Sequence, residues 1–109
     1  MFPFLGYNYR KQDRHMNIYT VCITEPAKKD LKKVPHYIAT KLYQWIESVS
    51  HDGLLEVRKV PGYHDEPLHG NRKGQRSIRL NIAYRAIYEL SNNGQMEIVE
   101  IMEVNKHDY

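Results

Sequence analysis

The stretch NRKGQRSIRLNIAYRAIY, residues 71–88, contains five basic residues and no acidic one. The basic residues are Arg72, Lys73, Arg76, Arg79 and Arg85. Successive side chains of a strand point to opposite faces, so Arg76 should share one side with Ile78 and Leu80. Ser77 and Arg79 should lie on the other side. The stretch therefore predicts two strands that hold cations on a rigid surface, and RNA is the first polyanion to consider as a partner.

The sequence outside this stretch completes an α+β domain. Thr24 is placed to cap a helix with Pro26 in its first turn, and Gly53 is suited to end the next helix. The predicted elements are a strand at 17–24, helices at 26–33 and 36–50, and strands at 75–81, 84–90 and 96–104, with a turn at 91–94. We expect both helices to pack on one face of a sheet whose last three strands form an antiparallel meander.

Two segments fit more than one structure. Residues 54–60 fit either a further helical turn or an extended piece. In the strand at 96–104, apolar residues occupy both alternating sets of positions, so the pattern does not select the buried face. Residues 61–69 are expected to form a long connection, because Pro61, Gly62 and Pro67 interrupt regular structure.

Length and composition restrict the class of protein. The 109 residues fit one domain, with a net charge of +3 and a pI of about 9.0. The lone Cys22 is expected to pack as a small buried residue; it excludes an internal disulfide and fits a reducing cytoplasm. No apolar run approaches the roughly 18–20 residues that cross a bilayer, and no signal peptide is recognisable, so we expect a cytoplasmic protein without a membrane partner.

The first fifteen residues differ from the rest of the chain. They mix aromatic and charged residues without any period. We interpret 1–15 as an N-terminal extension, either poorly ordered or preceding a true start at Met16, and 16–109 as the domain proper.

Arg79 and Arg85 are the pair expected to carry chemistry. Only LNIAY separates them, which is short enough for a tight connection between strands and places both guanidinium groups near one end of the sheet. Two guanidinium groups can bind a phosphodiester and neutralise the charge that develops on a phosphorane. The alternative is cross-strand pairing with acidic residues, namely Glu89, Glu97, Glu100 and Glu103.

His107 follows the last strand and is a candidate general acid or base, because histidine titrates near neutrality. Lys106 is a candidate phosphate ligand and Tyr109 a candidate stacking partner for a base. The alternative for His107 is a solvated tail residue. His64 and His69 match no metal motif, so no metal is expected, and without a phosphate-binding glycine loop no nucleotide cofactor is expected either.

The segments EPLHGNRKGQRSIRLNIAYRAIYEL (66–90) and MEIVEIMEVNKHDY (96–109) resemble the RelE/HigB group of toxins from bacterial toxin–antitoxin pairs. TEPAKKDLKKVP (24–35) resembles the first helix of that group, and the resemblance covers roughly residues 16–109. Its most specific part is a small residue followed by Tyr-Arg-x-x-Tyr, here 83–88. The ending HDY is less specific.

The resemblance implies a ribosome-dependent mRNA endonuclease, neutralised by an antitoxin that is expected to carry a helix-turn-helix. In such toxins the 2′-hydroxyl of the RNA attacks the adjacent phosphate without a metal. Arg85 matches the phosphate-binding arginine of the group, and Arg79 an arginine of some members. His107 falls where other members place a histidine or arginine, and Tyr109 matches a stacking aromatic. DNA is expected to be bound only through the antitoxin.

This sequence also departs from the pattern of the group and fits other activities. The loop 61–69 holds no clear acidic general base unless Glu66 or His64 serves. One alternative activity is that of a ParE-like toxin that poisons DNA gyrase; another is that of a non-catalytic RNA-binding module. The residues expected to bind substrate are Arg72, Lys73, Arg76, Lys106 and Tyr109, and those expected to contact ribosomal RNA from the first helix are Lys28, Lys29, Lys32 and Lys33.

Overall fold

The structure, a computed structural model that describes residues 19–92 and 97–106, has helices on one face of a five-stranded sheet. Its helices are α1 (Glu25–Leu31), α2 (His36–Asp52) and α3 (Leu54–Arg58). Its strands are β1 (Tyr19–Ile23), β2 (Glu66–Pro67), β3 (Gln75–Arg79), β4 (Tyr84–Asn92) and β5 (Glu97–Lys106). The strands lie in the order β1-β5-β4-β3-β2. β1 is parallel to β5 and the other pairs are antiparallel, which confirms the predicted α+β class.

The predicted caps position α1 against the sheet. The Ala27 amide donates to the Thr24 hydroxyl oxygen at 3.3 Å, and that hydroxyl donates to the Ile101 carbonyl at 2.8 Å. The Asp30 carboxylate accepts from the Val104 amide at 2.9 Å. α1 therefore covers β5 beyond the point where β1 ends. Thr24 and Asp30 provide hydrogen-bond partners for the Ile101 carbonyl and the Val104 amide of β5.

The apolar stripe of α2 forms the core with the sheet, as its spacing predicts. Its buried residues include Ile38, Leu42, Trp45, Ile46 and Val49. The Trp45 ring lies 5.1 Å from the Tyr88 ring of β4, centroid to centroid. α2 ends at Gly53, whose φ of 90° is a conformation that a residue with a Cβ rarely adopts. The undecided segment 54–60 begins as the short helix α3, because Leu54 and Val57 are buried on one side of it.

A bulge in β5 explains why the apolar residues Ile101 and Val104 occupy different alternating sets of positions. Tyr88 pairs with Ile101, whereas Ile87 pairs with Glu103, so Met102 is an extra residue in β5. The inserted residue shifts the alternation by one position, and Val104 returns to the buried face that Ile101 occupies. Beyond the bulge, Glu103 and Asn105 lie on the face opposite the helices.

Some sequence-based boundaries need correction. Cys22 is half-buried rather than buried, because it lies on the face of β1 opposite Val21 and Ile23. Burial first, and the negative charge of Glu100 second, raise the pKa of its thiol. β4 continues through Asn92, so Ser91 and Asn92 belong to the strand and not to the predicted turn 91–94, and the other two residues of that turn lie outside the described residues.

The predicted extension 1–15 also lies outside the described residues. In the part of the chain that the structure describes, no helix has both the length and the apolar character needed to span a membrane.

Candidate active site on the open face of the sheet

The sheet has one face covered by the helices and a second face, called here the open face. Ile78, Ala86 and Tyr88 are buried beneath the helices. The intervening residues of β3 and β4 therefore point to the open face. Arg79 pairs directly with Arg85, and directly opposed residues share a face, so both guanidinium groups belong to the open face.

A tight connection brings the two arginines together, as the length of LNIAY predicts. The Asn81 side-chain oxygen accepts from the amides of Ala83 and Tyr84, both at 2.8 Å. The Leu80 amide donates to the Tyr84 carbonyl at 2.9 Å. The neighbouring pair, Arg79 and Arg85, is then of the non-hydrogen-bonded kind, in which the Cα atoms lie about 4.5 Å apart.

The surroundings of this pair are electrostatically unusual. Two like charges directly opposite each other on a sheet are unfavourable. Among the side chains that the structure describes, neither Arg79 nor Arg85 has a carboxylate oxygen within 4.0 Å. Cross-strand pairing with glutamate, the alternative that the sequence left open, is therefore not observed for these two arginines in the described part. The pair is therefore a candidate site for an anion.

Arg72 does make the cross-strand contact. Its guanidinium donates twice to the Glu103 carboxylate, at 2.8 and 3.2 Å, and once to the Gln75 side-chain oxygen at 3.0 Å. The Asn105 amide donates to Glu103 at 2.9 Å. The hydrogen bond from Arg72 holds the pKa of Glu103 below its ordinary value. This network fixes the segment 68–73 across the open face.

A shallow cavity of about 310 Å³ lies beside Arg85 on the open face. Its cationic lining residues are Arg72, Arg85 and Lys106, and its other lining residues are Leu68, Ile87, Glu103 and Asn105. Its volume is near the lower end of the range for small-ligand sites. Lys106, the last residue of β5, also lines this cavity beside Arg85. It pairs with Tyr84, however, so its position in the strand belongs to the helix-covered face, where it lines a second cavity with Asp30 and Lys33. Lys73 is exposed in the turn before β3.

Arg76 is on the other face, and its predicted part in substrate binding needs correction. Its side-chain Nε donates to Asp65 at 2.6 Å, beneath the helices. The Asp65 side chain is fully buried, and it also accepts from the Tyr88 hydroxyl at 2.6 Å. The alternation predicted for β3 is confirmed, and this alternation separates Arg76 from Arg79. We therefore exclude Arg76 from the site.

The sequence offers Glu66 and His64 as candidates for the general base, and the geometry favours Glu66. Glu66 pairs with Ser77 across β2 and β3, so it shares the open face with Arg79. Two strand spacings and two residues separate its Cα from that of Arg85, roughly 12 Å in all. Two long side chains can reach a common sugar–phosphate unit over that distance. His64 lies in the turn before β2 with a φ of 46° and is exposed.

Two predicted site residues, His107 and Tyr109, lie outside the described residues. Within the described ranges, no group of three His, Cys, Asp or Glu side chains converges on a point that could hold a metal ion. The candidate site on the open face thus consists of Arg79 and Arg85, with Glu66 at its edge and Lys106 at the adjacent end of β5.

The fold, with an arginine pair at one end of an open face that also carries glutamates, defines a small α+β protein. The model of the family described as ParE toxin of type II toxin–antitoxin system, parDE, matches residues 21–108. The chain belongs to this family and is a toxin of a type II toxin–antitoxin system in the RelE/ParE superfamily. The predicted resemblance is confirmed at the level of the superfamily. A comparison with curated proteins gave no match.

Solved toxin structures share the fold. The YoeB/ParE toxin from Agrobacterium tumefaciens is 19% identical with a TM-score of 0.59, over 81% of this chain and 98% of that one. YafQ from E. coli is 18% identical with a TM-score of 0.63, over 82% of this chain and 93% of that one. The YoeB-YefM complex from Staphylococcus aureus is 21% identical with a TM-score of 0.59, over 84% and 98%.

Proposed function

We propose that this toxin is a ribosome-dependent endoribonuclease that cleaves mRNA by attack of a 2′-hydroxyl on the adjacent phosphate. The observation that carries the proposal is the pairing of Arg79 with Arg85 on the open face, without a carboxylate partner among the described residues. Such a pair is unfavourable unless an anion neutralises it, and a scissile phosphodiester is the anion that the reaction supplies.

The proposed reaction needs three roles to be filled: a general base, cations beside the phosphate and a general acid. The 2′-oxygen attacks the phosphorus while its proton passes to Glu66, and Arg79 and Arg85 neutralise the charge on the phosphorane. The bond from phosphorus to the 5′-oxygen breaks, and His107 gives that oxygen a proton. The products are a 2′,3′-cyclic phosphate and a 5′-hydroxyl, without a metal or covalent enzyme intermediate. Acid–base catalysis of this kind contributes about 10²–10⁴-fold to the rate.

The proposed partners follow from the family and from the charges. A cognate antitoxin is expected to cover the cationic end of the open face, at Arg79 and Arg85, with an acidic or amphipathic segment, and to carry the helix-turn-helix that binds DNA. Two related solved structures are toxin–antitoxin complexes, YoeB-YefM from Staphylococcus aureus and DinJ-YafQ from E. coli. Ribosome and mRNA are the proposed targets in the cytoplasm, with Lys106 and Tyr109 contacting the substrate RNA.

The matched family also supports a second candidate function. A ParE-like toxin that poisons DNA gyrase would have the same fold and would need no general base or acid. This candidate predicts intact mRNA together with DNA damage or a supercoiling defect. The two candidates therefore differ in the polymer that is damaged.

The test is a reconstituted translation reaction with a defined mRNA and purified toxin. We expect cleavage within codons on translating ribosomes, with cyclic phosphate and 5′-hydroxyl ends, and no cleavage of the same mRNA without ribosomes. Arg85→Ala should lower the rate about 10²–10³-fold, as expected for loss of a group that stabilises transition-state charge. Lys59→Ala is the control, because Lys59 is an exposed cation beside α3 that pairs with Glu56.

Intact mRNA in the presence of wild-type toxin, with gyrase inhibited in a parallel supercoiling assay, would contradict the proposal and support the second candidate.

A further inference from the structure

A buried polar cluster lies directly beneath the candidate general base. The Asp65 side chain is fully buried and has one donor on each carboxylate oxygen. Arg76 Nε donates to one oxygen and the Tyr88 hydroxyl to the other, both at 2.6 Å. Arg58 Nε in turn donates to the Tyr88 oxygen at 3.3 Å. The cluster joins α3, the segment before β2, β3 and β4.

Asp65 immediately precedes Glu66, and the two side chains point to opposite faces. Glu66 pairs with Ser77 on the open face, whereas Asp65 contacts Arg76 and Tyr88 beneath the helices. In an extended segment the direction of one side chain determines that of the next. Holding Asp65 in place therefore orients Glu66 toward the open face.

The other restraints on this part of the chain are its pairing with β3 and the turn before it. β2 has only two residues and pairs with β3 alone at the edge of the sheet. Both of its residues are exposed. A short edge strand of this kind opens readily unless a side chain holds it. The turn before it is held by Tyr63, whose ring centroid lies 5.3 Å from the Lys41 ammonium.

The donors of the cluster remain charged or protonated over the physiological range. Burial first, and the hydrogen bond to Asp65 second, raise the pKa of Tyr88 to about 12. Its hydroxyl therefore continues to donate to Asp65 at neutral pH. The arginine donor is permanently charged.

We propose that Asp65 is a positioning residue for the general base: its bonds to Arg76 and Tyr88 hold Glu66 where it accepts the proton of the attacking 2′-hydroxyl. The inference rests on the proposed nuclease function and adds a residue that touches neither substrate nor product. Displacement of a catalytic group by about 1 Å can cost 10²-fold in rate, so loss of this restraint should be visible in turnover.

The test is a double-mutant cycle in ribosome-dependent cleavage, with Asp65→Asn, Glu66→Gln and the double variant. Asp65→Asn retains the volume of the side chain. The asparagine side chain has an NH₂ group in place of one oxygen, so it cannot accept a hydrogen bond on each side from Arg76 and Tyr88. We expect it to lower kcat about 10-fold and to leave KM within about twofold. In the Glu66→Gln background the same substitution should have no further effect, because the base on which it acts is absent. Thermal melting of each variant controls for folding.

Equal loss from Asp65→Asn in both backgrounds would overturn the inference and leave the nuclease function intact, because a merely structural effect does not depend on the base. Full activity of Glu66→Gln would overturn the inference together with the assignment of the base. Absence of cleavage by wild-type toxin would instead refute the nuclease function itself. Tyr88→Phe, which removes one of the two donors, should reproduce part of the kcat loss and should also depend on Glu66.

Discussion

Arg76 and the Arg79–Arg85 pair lie on opposite faces of the same two strands, and their surroundings are opposite as well. Arg76 is largely buried and bonded to a fully buried carboxylate. Arg79 and Arg85 oppose each other, and no carboxylate oxygen of the described residues lies within 4.0 Å of either. An arginine that is paired with a buried carboxylate supports folding. Two opposed cations without a paired carboxylate repel each other and destabilise the sheet locally. Natural proteins tolerate such local destabilisation mainly at functional sites.

The largest expected effect is on stability, and it separates the two faces. Arg76→Ala should lower the free energy of unfolding by about 3 kcal/mol, because it leaves the buried Asp65 carboxylate with one donor. Arg79→Ala should lower the free energy of unfolding by less than about 0.5 kcal/mol, or should raise it, because the substitution removes one of two opposed like charges. Denaturant unfolding of both variants measures the difference. Equal losses would contradict the distinction between the faces.

Tyr88→Phe should cost about 2 kcal/mol, the value of a hydrogen bond to a charged group. The effect should also depend on pH at the alkaline end. The fold raises the pKa of Tyr88 from 10.0 to about 12, so its contribution is complete below pH 10 and is lost as pH rises toward 12. Melting of wild type and variant between about pH 8 and 12 checks this. A constant difference over that range would be the contrary result.

Arg85→Lys tests whether the geometry of the site matters beyond its charge. Lysine retains the positive charge but cannot bind two phosphate oxygens with a planar fork. We expect a loss of about 10-fold in cleavage rate, smaller than that of Arg85→Ala. Full activity of the lysine variant would show that charge alone suffices.

The smallest effect is expected at the exposed Arg72–Glu103 pair. Glu103→Gln should lower stability by less than about 1 kcal/mol, because both side chains are substantially exposed. The fold lowers the pKa of Glu103 from 4.5, so the contribution is present above that pH and is lost as pH falls through the lowered value. The melting temperatures of wild type and variant should therefore converge in acid. Divergence toward acid would contradict this assignment.

The sequence correctly predicted those features that depend only on residues close together in the chain. Thr24 and Gly53 delimit their helices as predicted, because capping depends on a few adjacent residues. The alternation in β3 correctly assigns Ile78 to the core and Arg79 to the other face. The neighbours of each arginine depend instead on strand register, which the bulge after Ile101 alters. Sequence alone therefore did not reveal that Arg72, rather than Arg79, contacts Glu103.

The general base illustrates the same limit. Glu66 was one of two candidates in a loop, and its pairing with Ser77 through a two-residue strand distinguishes it from His64. No local pattern marks so short a strand. The buried Asp65 was equally inconspicuous, because its partners Arg76 and Tyr88 lie 11 and 23 residues away in the sequence.

The most direct test of the central proposal is a double-mutant cycle at Arg79 and Arg85, measured as single-turnover mRNA cleavage on ribosomes. If both guanidinium groups bind one scissile phosphate, each alanine variant should lose about 10²-fold or more, and the double variant should lose less than the product of the two. Folding is monitored by thermal melting. Cleavage that persists at the wild-type rate in the folded double variant would contradict the proposal.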